Sequence, residues 1–212
     1  LTVCDHDNFR RSGDHVDANH AVHLPLGFRD PGIAGAGDDI HRLDRILEAE
    51  GDTANRYKVS KQADVLMLFY LLSADELREL FERLGYELSA ETISRTVDYY
   101  LARTSHGSTL SRIVHSWVLA RSDRERSWEQ FSEALESDVA DVQGGTTPEG
   151  IHLGAMAGTV DLLQRGYAGL ETRGDVLWFG PALPEKLHAL EFEIHYRGHR
   201  LQVRITPERL RL

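Results

Sequence analysis

Ser108, Thr109 and His152 each stand at or near the start of an apolar helical pattern, a placement that suits an oxyanion. The stretch Thr146-Thr147-Pro148-Glu149-Gly150-Ile151-His152-Leu153-Gly154-Ala155-Met156-Ala157-Gly158 reads as a capped helix start. Thr147 suits the N-cap, Pro148 the first helical position, and Glu149 complements the positive end of the helix. His152 then falls in the first turns, where unpaired N–H groups and an imidazole together make an anion site from local chemistry. A second polar knot, Arg103-Thr104-Ser105-His106-Gly107-Ser108-Thr109-Leu110-Ser111, precedes another apolar helix. A third polar head, Lys61 and Gln62, precedes the run Val65-Leu66-Met67-Leu68-Phe69-Tyr70-Leu71-Leu72. Each feature also has a purely structural meaning. Hydroxyls at helix starts cap, and a histidine there is readily satisfied by solvent or core. Two long polar side chains mark a solvent-facing helix start as well as they would hold a polyol.

The elements that must position these residues are helical up to Gly166. Ile40, Leu43, Ile46 and Leu47 predict a short amphipathic helix stopped by Gly51 and Asp52, and the apolar run 65–72 predicts a helix buried on every face with Ser60 as its cap. Leu77, Leu80, Phe81 and Leu84 predict a half-exposed helix opened by Ser73 and ended by Gly85, and Ile93, Val97, Tyr100 and Leu101 predict another after Ser89. Leu110, Ile113, Val114, Trp117 and Val118 mark a buried helix, and Trp128, Phe131 and Leu135 a charged-faced one. In the helix after His152 the expected inner stripe is Met156, Val160 and Leu163, with Gly154 and Gly158 leaving a groove for a neighbouring backbone. Beyond Gly166 the period changes to that of strands. Val176-Leu177-Trp178-Phe179 is strand-like, and Leu190–Tyr196 and Leu201–Ile205 alternate about Arg197-Gly198 as a β-hairpin, with His195 and His199 on its surface.

Residues 1–39 are rich in Pro and Gly with poor periodicity and read as irregular. His6, His15, His20 and His23 cluster there with Asp5, Asp14 and Asp17, but the spacing fits no zinc pattern and a solvated loop is expected. The 212 residues carry 24 basic and 34 acidic side chains, a net charge of -10, which argues against a nucleic-acid or anionic-membrane surface. A single cysteine, Cys4, rules out an internal disulfide, no apolar run approaches the roughly 20 residues needed to span a bilayer and no secretory leader is visible, so a reducing, cytoplasmic setting is expected. The chain starts at Leu1 and reads as a piece of something longer or a trimmed form.

Four blocks in order resemble glycoside hydrolase family 65, which includes the maltose, trehalose and kojibiose phosphorylases. They are Arg42-Leu43-Asp44-Arg45-Ile46-Leu47-Glu48-Ala49-Glu50-Gly51, Tyr57-Lys58-Val59-Ser60-Lys61-Gln62-Ala63-Asp64, His106-Gly107-Ser108-Thr109-Leu110-Ser111, and Glu149 through Gly158. The resemblance covers about Ile40 to the C-terminus and implies a mainly α chain: the C-terminal part of an (α/α)6 barrel over 40–169, then a small antiparallel β-domain over 170–212. It implies that Lys61 and Gln62 hold the transferred glucosyl unit, that Ser108 and Thr109 bind phosphate with Gly107 letting the backbone approach, and that His152 contacts the same phosphate.

The implied reaction is inverting phosphorolysis of an α-glucosidic disaccharide to β-glucose 1-phosphate and a sugar. A carboxylic acid protonates the leaving oxygen while phosphate attacks in place of water. Inorganic phosphate is a substrate there, and no cofactor or metal is implied. The partners are then the disaccharide and phosphate, with a homo-oligomer or an N-terminal part of the same enzyme as protein partners, and no nucleic acid or membrane. In such enzymes the general-acid glutamate lies upstream of the Lys-Gln block, in a segment that residues 1–39 do not resemble, and nothing around Glu48, Glu87 or Glu149 marks a substitute. The isolated chain is therefore expected to be inactive. A non-catalytic helical scaffold and a family hydrolase using water are the alternatives.

Overall fold

Hydroxyl and carboxylate caps set where the helices begin. The Glu76 N–H donates to Ser73 Oγ at 3.2 Å while the Ser73 N–H donates to Glu76 Oε2 at 2.8 Å, a reciprocal cap. Ser89, Ser108 and Asp123 accept in the same way from the N–H groups of Thr92, Leu110 and Arg126. The structure, a computed structural model, describes residues 2–3, 47–53, 56–60, 62–105, 108–141 and 147–212. Its helices are α1 (Met67–Leu71), α2 (Ala74–Arg83), α3 (Ala90–Leu101), α4 (Thr109–Leu119), α5 (Arg124–Glu136) and α6 (Leu153–Asp161), the last continuing into a wider π turn over Leu162–Tyr167. The strands are β1 (Thr2–Val3), β2 (Glu171–Arg173), β3 (Val176–Phe179), β4 (Leu190–Tyr196), β5 (His199–Ile205) and β6 (Leu210–Arg211). Of the expected helix around residues 40–47 only its end is described, where Gly51 at φ +73° stops it; the histidine cluster of the first 39 residues lies outside the described residues.

α4 and α6 lie side by side and run in the same direction. Leu110, Ile113 and Ala155 share one cluster, a Cβ at Gly158 would lie 2.8 Å from Ile113 Cγ2, and one at Gly166 would lie 3.5 Å from the Trp117 ring. Residue numbers thus rise together along both helices, so their N-termini share one end. α5 follows α4 closely, clasped by Ser116 and Ser127: each Oγ donates to the other residue's carbonyl at 2.7 Å, and Tyr167 Oη lies 2.9 Å from Ser127 Oγ.

Three expectations for the helices are corrected. The run 65–72 yields a helix of only five residues with none buried, and Leu68 and Leu71 are 42% and 64% exposed. Ser60 does not cap it but bridges to Thr104, and the reciprocal cap at Ser73 follows so closely that Leu72 must be extended, at φ -115° and ψ 141°. Before α6, residues Thr147–Glu149 form an isolated single turn, because Gly150 at φ +97° breaks the helical path; the helix proper starts at Leu153 with His152 as its N-cap residue. The buried stripe of α6 is Ala155, Gly158, Thr159 and then Leu162, whereas Val160 is 55% exposed. Small residues are what a close approach to Ile113 requires, and Gly154 faces open space rather than a neighbouring backbone.

The strands form two three-stranded sheets, β1-β3-β2 and β4-β5-β6. Arg197 at φ 50° and Gly198 at φ 81° make the tight turn of the β4–β5 hairpin, with Phe192 opposite Val203 as the alternation predicts. Thr2–Val3 pairs parallel with β3, so part of the segment read as irregular is a strand and the first sheet is mixed. Leu177, Phe179, Leu190, Val203 and Ile205 build the sheet core; Leu163, Leu183 and Leu187 pack against both this core and the helical cluster of Phe131, Leu162 and Tyr167. Among the described residues no helix is long and apolar enough to cross a membrane.

Candidate functional site

Backbone pairing ties the Lys-Gln block to the loop before α4. The Ser60 N–H donates to Arg103 O at 2.8 Å and the Ser105 N–H to Ser60 O at 2.9 Å, the parallel bridge Ser60–Thr104. Three residues further on, the Ala63 N–H donates to Ser111 Oγ at 3.2 Å in a buried bond. Gln62 is thereby held between anchors at Thr104 and Ser111, which flank Ser108 in sequence. Gln62 is exposed, Ser108 half-buried and Thr109 buried; Lys61, His106 and Gly107 lie outside the described residues. Ser108 Oγ accepts from the Leu110 N–H at 3.3 Å, which leaves its own hydroxyl proton available for a ligand.

The start of α6 is organised around one carboxylate. Asp138 Oδ2 accepts the His152 backbone N–H at 2.9 Å and Oδ1 lies 2.5 Å from His152 Nδ1. Asp138 follows directly on Ser137, the buried C-cap residue of α5, so that helix fixes where the carboxylate stands. The ring hydrogen bond from His152 is the main reason the Asp138 carboxyl is held below the ordinary carboxylate range, against the opposing push of burial. The His152 side chain itself does not cap α6, and the residues at its mouth, Ile151, Leu153 and Gly154, are exposed.

Behind the α4 turn lie two buried basic groups. Arg112 has only 4% of its side chain exposed and is ion-paired with Glu133 of α5. His115 is 2% exposed, and burial first, then the charges of Arg112 and Arg126, bring its pKa down to about 4. It is neutral at physiological pH. Among the described residues, the carboxyls of Asp52, Glu76 and Asp138 are shifted down, the opposite of what a general acid needs. Glu48 and Glu87 are exposed, and the side chain of Glu149 is not among those described.

The structure therefore brings the Ser108 and His152 helix starts to one end of a parallel pair and ties Ser60 and Ala63, which flank Gln62, beside the first. Asp138 escaped sequence reasoning, because it stands 14 residues before its partner with no periodic or motif link to it. An aspartate just past the end of α5 was the only available hint, and that is a common place for a solvated residue.

Helices packed in parallel around one end, with a small sheet behind them, are the closing part of an (α/α)6 barrel and its appended β-domain. The same fold is found in a solved structure from the human microbiome assigned as a kojibiose phosphorylase, with a TM-score of 0.64 at 24% identity over 84% of this chain and 24% of that one. The family model described as the glycosyl hydrolase family 65 central catalytic domain matches residues 33–161, and that of the family 65 C-terminal domain matches residues 170–212. The chain belongs to glycosyl hydrolase family 65. It is 62% identical over 168 residues to an uncharacterized glycosyl hydrolase of Mycobacterium tuberculosis, covering 79% of this chain and 13% of that protein. The trehalose 6-phosphate phosphorylase of Lactococcus lactis is 40% identical over 82% of this chain and 23% of its own, and the kojibiose phosphorylase of Caldanaerobacter subterraneus 36% identical over 74% and 18%. The chain thus spans between 13% and 23% of the length of these relatives.

Proposed function

We propose that this chain supplies the phosphate side of an inverting disaccharide phosphorylase. In this reading Ser108 and Thr109, with Gly107, and His152 from the neighbouring helix cradle inorganic phosphate, while Lys61 and Gln62 hold the glucosyl unit beside it. The observation that supports it most is the parallel packing of α4 and α6, which sets two helix starts carrying these residues at a common end. Phosphate held there attacks the anomeric carbon as the glycosidic bond breaks, and a carboxylic acid on the other side gives the leaving sugar its proton. The downward-shifted carboxyls described above do not suit that acid, and the chain by itself is proposed to turn over no disaccharide. The proposed setting is cytoplasmic, in keeping with a single cysteine.

Two measurements test this. Phosphate should raise the melting temperature of the chain, and His152→Ala or Ser108→Ala should remove that rise; an unchanged melting temperature in the wild type refutes the anion site. Glucose 1-phosphate release should be absent with trehalose, trehalose 6-phosphate, kojibiose and maltose, and robust turnover refutes the proposed inactivity. The exposed Leu68, Leu71, Leu84 and Leu153 favour a second role alongside the first, in which these flanks dock further helices of the same barrel.

A further inference from the structure

Asp138 does two jobs with two oxygens. One takes the backbone N–H that opens α6 and the other faces Nδ1 of the residue placed there, His152. The carboxylate side chain is 8% exposed and the imidazole 28%, so the contact lies under the surface while the ring still reaches it. A carboxylate only accepts hydrogen bonds, so this geometry requires the proton on Nδ1 and turns Nε2 into the nitrogen left for a ligand. An asparagine in the same place has a single acceptor. The backbone N–H has no alternative tautomer and takes that acceptor, which sets the amide NH2 against Nδ1 and drives the ring proton to Nε2.

We propose that Asp138 is the positioning residue of the phosphate site: it locks the His152 ring in one orientation, with Nδ1–H toward itself and Nε2 toward the bound phosphate. The inference rests on the phosphate-site reading above and extends it by one residue. With a carboxylate on one side and phosphate on the other, both ring nitrogens carry protons in the complex, the second coming from solvent or from monobasic phosphate. The ring is then a cation facing an anion, and Asp138 sustains that charge. The lowered ionisation of Asp138 agrees with a carboxylate that stays charged throughout.

The test uses the full 212-residue chain with 15N-labelled histidine and inorganic phosphate as the probe. The His152 signals are identified by their loss in His152→Ala. In the free wild type the neutral ring should show the Nδ1–H tautomer, and in the phosphate-bound form both nitrogens should be protonated. Asp138→Asn should show the Nε2–H tautomer and bind phosphate about tenfold more weakly, in line with the loss of a charge-assisted hydrogen bond. The double variant with His152→Ala should bind no more weakly than His152→Ala alone. An Nε2–H tautomer in the free wild type overturns the inference without any variant. So does Asp138→Asn that melts lower yet keeps wild-type affinity and ring protonation, the result expected of a residue that only caps the helix. If the wild type binds no phosphate, the phosphate-site reading fails and the inference fails with it; if it binds and only Asp138→Asn is without effect, the inference alone fails.

Discussion

Burial and the neighbouring guanidinium groups of Arg112 and Arg126 hold His115 neutral down to about pH 4, far below the range of a solvated imidazole. In the unfolded chain the same ring takes up its proton near pH 6.5, so between those limits the unfolded state binds more protons than the folded one. Stability is therefore lost as the pH falls through that window, by about 3 kcal/mol over its width. His115→Gln should flatten this part of the profile, and urea unfolding midpoints of both proteins between about pH 7 and 4 measure it. Parallel profiles for the two would show that His115 is not the group responsible.

At the scale of the element, the approach of α4 to α6 is set by what is missing from Gly158. A methyl there meets the Ile113 side chain at 2.8 Å, and Ile113 is fully buried with no room to withdraw. Gly158→Ala should cost about 1–3 kcal/mol and disturb the shared end of the two helices. Gly154→Ala, whose added methyl meets nothing, should be neutral or stabilise by up to about 0.5 kcal/mol. Chemical denaturation of the two variants compares them directly, and equal effects would contradict the packing described. This contrast also shows what the sequence made legible. Capping residues and the 3.6-residue period located α2 to α5, and strict alternation about Arg197-Gly198 located the hairpin with its register. The start of α6 was misplaced because a proline-led cap at Thr147 is locally as good as the real one; Gly150 and the distant Asp138 decide the matter. The large apolar residues Met156, Val160 and Leu163 predict a different stripe of α6 from the buried one, because a close helix contact selects Ala and Gly. The candidate site was legible through its blocks, since a hydroxyl turn and a histidine at helix starts are local patterns, but its supporting carboxylate was not.

For the whole molecule, the helical and sheet parts share a core. Leu163, Leu183 and Leu187 belong to both clusters, and the Gly180 N–H reaches Gly169 O at 3.1 Å while the Ala182 N–H reaches Tyr167 O at 2.8 Å. The two parts should therefore unfold in a single transition. Trp178 in β3 and the pair Trp117 and Trp128 in the helices provide separate fluorescence probes once each is retained alone, and coincident curves are expected. Two well-separated transitions would mean that the shared leucines couple the parts only weakly.

The family models stop at residue 161 and resume at 170, so the turn between them is claimed by neither. That short passage nevertheless holds Leu162, Tyr167 and Ala168, each with no exposed surface at all. A cloning boundary drawn in this gap would cut through a fully buried joint, and an inserted spacer there would pry apart the very contacts that keep the sheet seated on the barrel.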